Sequence, residues 1–394
     1  MVNRKIPKIR FKHFGDGWKS DKLGNLGTVA MNKRIFKEET SEVGEVPFYK
    51  IGTFGGKPDS FITRDKFEEY KSKYPYPKIG DILISASGSI GRTVEYQGEE
   101  AYFQDSNIVW LKHDGRIDNS FLKHFYAIVK WQGVEGTTIK RLYNKNILET
   151  PITLPSISEQ SAIGSLFCTL DDLLASYKDN LANYRSFKAT MLSKMFPKAG
   201  QTVPEIRLDG FEGEWKKDTL EPYLTESRIS GDTGITAKKI TVKLWGKGVI
   251  EKEEKYAGSS NTQYFVRKAG QFIYSKLDFQ NQAFGIIPNG LDGYQSTLDL
   301  PTFDIQNIDP KFLLEYVMRR EFYEYQGLIA NGSRKAKRIH PEDFLVMPVR
   351  IPSLEEQQAI GSYFSNIDNF INSHQEKISQ HESLKKKLLQ DMFI

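Results

Sequence analysis

The chain has 394 residues, 39% apolar and 27% charged, the make-up of a globular protein of two or three domains rather than a collagen-like, disordered or membrane-bundle chain. No run approaches the roughly 18 apolar residues of a spanning helix, and the opening MVNRKIPKIR has no apolar core of the secretory type. One cysteine, Cys168, excludes an intrachain disulfide and a cysteine zinc site and points to the cytoplasm, while a net charge of +5 permits nucleic-acid binding without demanding it.

In chain order, the first marked segment is Pro7-Lys8-Ile9-Arg10, followed by Phe14 and Trp18-Lys19. Residues 81–85 and 107–111 are short apolar runs that read as strands, and 119–129 reads as a helix with Phe121 and Leu122 on its buried face. The segment PSISEQSAIGSLFCTLD begins at Pro155. Then the order restarts. Pro204-Glu205-Ile206-Arg207, Phe211 and Trp215-Lys216 repeat the opening 197 positions on, and strands are expected at 271–274 and 284–287 and a helix at 310–320. PSLEEQQAIGSYFSNID begins at Pro352 and matches its counterpart at ten of seventeen positions, again 197 on. Lys188, Leu192, Met195 and Phe196 return as Lys385, Leu389, Met392 and Phe393. Three blocks at one offset, half the chain length, establish a tandem duplication. The middle of the unit varies: GDILISASGSIGR (80–92) answers only loosely to GQFIYSKLDFQNQAFG (270–285), at an offset of 190. A shared frame with a variable middle suggests two different recognition surfaces.

The tail of each unit predicts a long helix. Ser156 with Glu159, and Ser353 with Glu356, have the spacing of a capping box. Ile163, Phe167, Leu170, Leu174, Tyr177, Leu181 and Tyr184 follow a 3-4 spacing, as do Ile360, Phe364, Ile367, Ile371, His374, Ile378 and His381. That is a heptad seam, and Pro197 closes the first helix. Each helix of about 40 residues is roughly 60 Å long and needs a partner for its stripe. The simplest is the other copy, antiparallel. The expected fold is therefore α+β: two mostly-β domains in pseudo-two-fold arrangement, separated by a long antiparallel two-helix coiled coil. The expected boundaries are 1–154 and 198–351 for the domains, and 155–197 and 352–394 for the helices.

Four features occur in order: the P-x-I-R…W opening, a basic pair before the helix start (Lys140-Arg141 and Lys337-Arg338) and the heptad helix, each in duplicate, and the G-D-I-L-I-S…G-S-I-G-R segment of the first half. By these the chain resembles the specificity (S) subunit of Type I restriction–modification systems over essentially its whole length. The resemblance implies two target-recognition domains that each read one half of a split, asymmetric double-stranded DNA sequence, with the helices as spacer. It implies two docked methyltransferase (M) subunits that use S-adenosylmethionine, and restriction (R) subunits that use ATP and Mg. It implies no catalytic residue, no metal and no cofactor in this chain, and no membrane association.

Candidate DNA contacts follow from charge and loop chemistry. Arg334, Lys335, Lys337 and Arg338 form the densest basic run, and Lys140 and Arg141 hold the matching place. Ser87 and Arg92 lie in a small-residue loop through which backbone could approach a duplex. Lys276 and Gln280 lie in a polar stretch suited to base edges. A solvated loop or a structural turn would explain the same residues. His374 and His381 are better read as register-setting seam positions than as a metal pair. A loose PD…ExK pattern (Pro58-Asp59, Glu69-Tyr70-Lys71) is the one nuclease-like feature, and no GxxxxGK[ST], N-P-P-Y, D-P-P-Y or G-x-S-x-G motif occurs. A free-standing nuclease or methyltransferase and a protein-binding scaffold are the competing readings.

Overall fold

The computed structural model describes residues 6–133, 140–253, 259–328 and 338–394. The chain divides into two compact units, Met1–Lys178 with Glu376–Ile394, and Asp179–Gln375.

Unit 1 centres on an antiparallel sheet of β1 (Gly27–Ala30), β2 (Ile82–Ser85), β3 (Thr93–Glu95) and β4 (Ile108–His113), in the order β1-β4-β2-β3. Strand β2 is buried at all four positions because the sheet is covered on both faces. Ile82 and Ile84 join Val109 and Leu111 against helix α1 (Asn119–Ile128) and helix α2 (Ile157–Lys194), while Leu83 and Ile108 face Phe54, Tyr96 and Phe103. This two-sided burial gives the apolar run its continuous, non-alternating pattern.

Unit 2 repeats the plan with β5 (Leu224–Glu226), β6 (Phe272–Tyr274), β7 (Phe284–Ile286) and β8 (Thr302–Ile305), in the order β5-β8-β6-β7. Phe272 and Tyr274 face helix α3 (Pro310–Met318) and helix α4 (Leu354–Met392), and Ile273 faces a second cluster with Ile240, Val242 and Val249. The two sheets thus share one strand order although their sequences hardly match.

The repeated motifs are the fittings of this frame. Lys19–Lys22 pairs with Pro151–Leu154, and Lys216–Thr219 with Pro348–Ile351, with Lys19 opposite Leu154 and Lys216 opposite Ile351. Each short helix opens on an aspartate that accepts two backbone N–H bonds: Asp118 from Ser120 and Phe121, Asp309 from Lys311 and Phe312. The Met-Phe pairs plug the cores. Phe393 stacks on Phe121 at 4.9 Å and contacts Phe167, and Phe196 lies 5.6 Å from Phe312 and against Trp215.

Within each unit the long helices pack antiparallel. In unit 1, Tyr177 meets His381 at 5.4 Å, Lys178 pairs with Glu382, and Asp171 accepts from Lys385. In unit 2, Tyr184 meets His374 at 5.2 Å and stacks on Phe370, and Lys188 donates to Asp368 at 2.8 Å. These contacts map onto one another through the 197-residue offset: 177 and 381 become 374 and 184, and 171 and 385 become 368 and 188. The seam residues Ile163, Phe167, Leu170, Leu174, Ile360, Phe364 and Ile367 are buried, while Ile371, Leu181 and Ile378 are half-buried. The seam is therefore deepest where a helix also touches a sheet domain.

The capping boxes form by half. Ser156 Oγ accepts from the Glu159 N–H and Ser353 Oγ from the Glu356 N–H, both at 3.3 Å. The two carboxylates are buried and turn instead to Arg10 and Arg207, each gripped by two guanidinium N–H bonds of 2.6–2.9 Å. A charged bidentate partner outcompetes a neutral backbone N–H. The adjacent glutamines complete the joint: Gln160 Oε1 accepts from the Asp118 N–H and Gln357 Oε1 from the Asp309 N–H. The duplicated P-x-I-R and E-Q motifs are thus one latch, made twice.

Candidate nucleic-acid interface

In unit 1, β2 runs directly into the loop 86–92. The Leu142 N–H donates to the Ala86 carbonyl at 2.8 Å and the Gly88 N–H to the Lys140 carbonyl at 3.1 Å, so the loop and the basic pair are zipped side by side. Ser87 is buried, and its hydroxyl donates to Asn107 Oδ1 at 2.7 Å. Gly88 and Gly91 adopt left-handed backbone, and a Cβ on Gly91 would stand 2.9 Å from the Trp131 Nε1. Arg92 is exposed, with one guanidinium N–H on the Phe54 carbonyl. Lys140 and Arg141 are exposed and have no ion-pair partner among the described residues. The turn glycines and Ser87 therefore build a platform, and Arg92, Lys140 and Arg141 present its charge.

Unit 2 has the same joint with other side chains. The Ile339 N–H donates to the Lys276 carbonyl at 3.1 Å, and Ile339 lies 197 positions after Leu142. Arg338 and Lys276 meet at Asp299, whose Oδ1 lies 3.6 Å from Arg338 and whose carbonyl accepts the Lys276 N–H. Asp278 is half-buried and bonded by Ser275 Oγ and Asn281 Nδ2, which leaves Asp299, paired with Arg338, as the exposed carboxylate at this joint. Gln280 is exposed and lies over Gly327, where a Cβ would stand 2.5 Å from its Cγ. Arg334, Lys335 and Lys337 lie outside the described residues.

The helix contacts carry buried ionisable groups. Lys188 is held between Glu315 and Asp368; burial alone would lower its pKa, and the two carboxylates more than offset this and raise it. Glu315 is raised by its own burial. Position 124 occupies the equivalent place in unit 1, where burial depresses the His124 imidazole to about 4 and its Nε2 lies 3.8 Å from Cys168 Sγ. Burial also raises the Cys168 thiol, so this pair is neutral and not an activated nucleophile. His374 and His381 lie against tyrosines, each with Nδ1 on the carbonyl four residues back. No cluster of three His, Cys, Asp or Glu suited to a metal occurs among the described residues. Nor is any described helix long and apolar enough to cross a membrane.

The motif reading missed the Arg10–Glu159 and Arg207–Glu356 latches. The signal was present: both arginines and both glutamates recur at the same offset.

Residues 15–183 match the family model of the Type I restriction modification DNA specificity domain. Over 97% of its length the chain is 22% identical to the type I restriction enzyme MjaX specificity subunit of Methanocaldococcus jannaschii, covering 94% of that protein. The chain is thus similar to specificity (S) subunits of Type I restriction–modification systems along nearly its whole length, with the DNA specificity domain matched in its first half. It is also 53% identical over 160 residues to a type I restriction enzyme specificity subunit of Haemophilus influenzae, a match spanning 40% of this chain and 42% of that relative. Its fold is that of the S subunit from M. genitalium, with a TM-score of 0.61 at 15% identity over 99% of both chains. A chain solved in connection with complex assembly and conformational transition of the type I R-M system follows, at a TM-score of 0.52 and 14% identity, covering 97% of this chain and 99% of that one.

Proposed function

We propose that this chain is the DNA-reading subunit of a Type I complex. The target-recognition domains, 1–154 and 198–351, each bind one half of a bipartite, asymmetric duplex target, and the helices 155–197 and 352–394 set the unread gap. The observation that carries this is a single joint built twice with different side chains. A central strand runs into a loop zipped to a basic segment, serine-, glycine- and arginine-bearing in unit 1 and Lys276, Gln280 and Arg338 in unit 2. One frame with two chemistries suits two different half-sites.

Two methyltransferase subunits dock on the repeated frame. Ile9 and Ile206, Ile157 and Leu354, and Phe187 and Leu384 are three pairs of equivalent positions, and all six side chains are apolar yet 36–51% exposed. Apolar exposure repeated at the same places in both copies fits one kind of partner bound twice. The chain supplies no catalysis and no cofactor; the methyltransferase subunits bring S-adenosylmethionine and the restriction subunits ATP and Mg. The complex works in the cytoplasm.

The test combines the chain with a methyltransferase partner and maps methylated bases by sequencing. Methylation should require both proteins and fall at a two-part site. Binding should weaken steeply with salt, and alanine at Lys140 and Arg141, or at Lys276 and Arg338, should weaken it further. Methylation by the chain alone would overturn the reading, as would duplex binding indifferent to all four residues. One helical turn inserted into each spacer should widen the gap, and an unchanged gap would refute the ruler.

A further inference from the structure

Unit 2 carries an exposed aromatic in a backbone conformation that aromatics rarely adopt. The hairpin of Ile240–Val242 and Val249–Glu251 turns through Lys243-Leu244-Trp245-Gly246-Lys247-Gly248. Trp245, Gly246 and Gly248 have φ of +59°, +64° and +78°. Glycine takes such angles freely, whereas a bulky side chain at φ above zero is a true outlier and stores strain. The surroundings hold it there. The Trp245 N–H donates to the Asn281 carbonyl at 2.8 Å, the Gly246 N–H to the Gln282 carbonyl at 3.0 Å, and the Lys243 N–H to the Gly248 carbonyl at 2.9 Å. Gly246 lies against the end of the Met318 side chain, which would have to shift for a Cβ. This pinned turn nevertheless sends its indole outward, 58% exposed.

The charged side chains of the turn itself have one sign. Lys243 and Lys247 are exposed and have no ion-pair partner among the described residues. The turn is bonded to the loop that carries Lys276, Gln280 and Asn281, and a groove of about 580 Å³ beneath it is lined by Arg185, Lys247 and Gln282 together with Glu315 and Asp368, both carboxylates being paired with Lys188. An aromatic between lysines, on a rigid turn, with Glu315 and Asp368 paired to Lys188 and Asp278 bonded within its own loop, fits a nucleic acid better than a protein surface.

We propose that Trp245 is a stacking wedge: when unit 2 seats on its half-site, the indole stacks on a base at an opened step while Lys243 and Lys247 hold the flanking phosphates. This rests on unit 2 being a DNA-reading head. The non-glycine residues described at positive φ are Ser106, Trp245, Gln282 and Asn307, so unit 1 has no aromatic of this kind among its described residues. The distortion is therefore confined to the half-site of unit 2.

The test uses the full chain with its methyltransferase subunits and a duplex carrying the methylation site mapped for that complex, with 2-aminopurine placed in turn through both half-sites. Apart from the target bases that the methyltransferase subunits flip out in either half-site, the native complex should brighten 2-aminopurine at one further step of the second half-site and at no further step of the first. Trp245→Ala should abolish that signal and weaken specific binding roughly five- to a hundred-fold, with assembly intact. Trp245→Gly should weaken binding equally while raising the thermal midpoint, because glycine relieves the strain; loss of function with gain of stability is not what a structural tryptophan gives. Unchanged affinity and fluorescence in both variants would overturn the wedge, and lost methyltransferase assembly would overturn it in favour of a protein contact. Lys276→Ala with Arg338→Ala separates the two levels. If that variant loses DNA and the Trp245 variants do not, the head reads DNA without a wedge; if none of them matters, the reading head itself is wrong.

Discussion

Gly164 and Gly361, 197 positions apart, are where each long helix crosses the start of a short one, and a substitution there should reverse its usual sign. In an isolated helix, Gly→Ala stabilises by about 1 kcal/mol. Here a Cβ at position 164 would stand 2.7 Å from the Ser120 Cβ and 2.9 Å from the Phe121 N, and one at position 361 would stand 2.9 Å from the Lys311 Cβ and 3.1 Å from the Phe312 N. Carbon pairs relax at about 3.5 Å, so α2 must retreat from α1 by roughly 0.8 Å. Overpacking of this kind costs about 1–3 kcal/mol. The displaced turn also carries the Asp118 cap, worth about 1 kcal/mol. Against the helix gain, the net loss is about 2 kcal/mol, or roughly 6 °C in the midpoint of a unit this size. Calorimetry with hydrogen exchange read by peptide would check it: Gly164→Ala should loosen unit 1 and Gly361→Ala unit 2. Either variant as stable as the parent, or more stable, would refute the close-approach argument.

Three other outcomes follow from the same geometry. Glu159→Ala strands a largely buried Arg10 guanidinium and should cost unit 1 about 3–5 kcal/mol in urea unfolding, with Glu356→Ala costing unit 2 the same through Arg207; replacing both partners of one pair by methionine should recover part of the loss. His124 should make unit 1 acid-sensitive. Its folded pKa is depressed to about 4 by burial, so on acidification the unfolded chain takes up a proton near pH 6.5 first and stability falls from there down to about pH 4, by about 3 kcal/mol in all; His124→Gln should flatten that slope in a pH series of unfolding curves. Arg267 is fully buried and bonds Ser296 Oγ and the carbonyls of Ser227, Thr297 and Leu300; Arg267→Ala should cost unit 2 about 3 kcal/mol or more by leaving those acceptors dry, and Arg267→Lys should not restore it, because a single ammonium cannot span the fork.

The legibility of this chain was uneven for physical reasons. The duplicated blocks were plain because they build the frame, and a frame made twice must keep the same side chains wherever they fit together: Trp18 and Trp215 in the cores, Phe196 and Phe393 as plugs, Lys188 and Lys385 on their aspartates. The partner of Glu159 was hidden, because a local rule sends its carboxylate back to its own helix start, and the arginine that captures it lies 149 residues away. Ser87 looked like a contact residue and is buried under Asn107, since a serine in a small-residue loop shows no sign of which way it faces. Trp245 carried no motif at all; its interest lies in a backbone angle.

By itself, the sequence determined the repeat, the long helices and their seam, and two of the four strands of each sheet. Each is written in local periodicity or in the repetition of whole blocks. Only the tertiary structure decided that both sheets have the same strand order despite unrelated middles, that the Met-Phe tip of each helix fills a core rather than fraying, and that a basic pair is zipped beside a loop 50 to 60 residues away in sequence. Strand pairing and core filling are set by contacts between distant segments, and no local pattern records which distant segment will arrive.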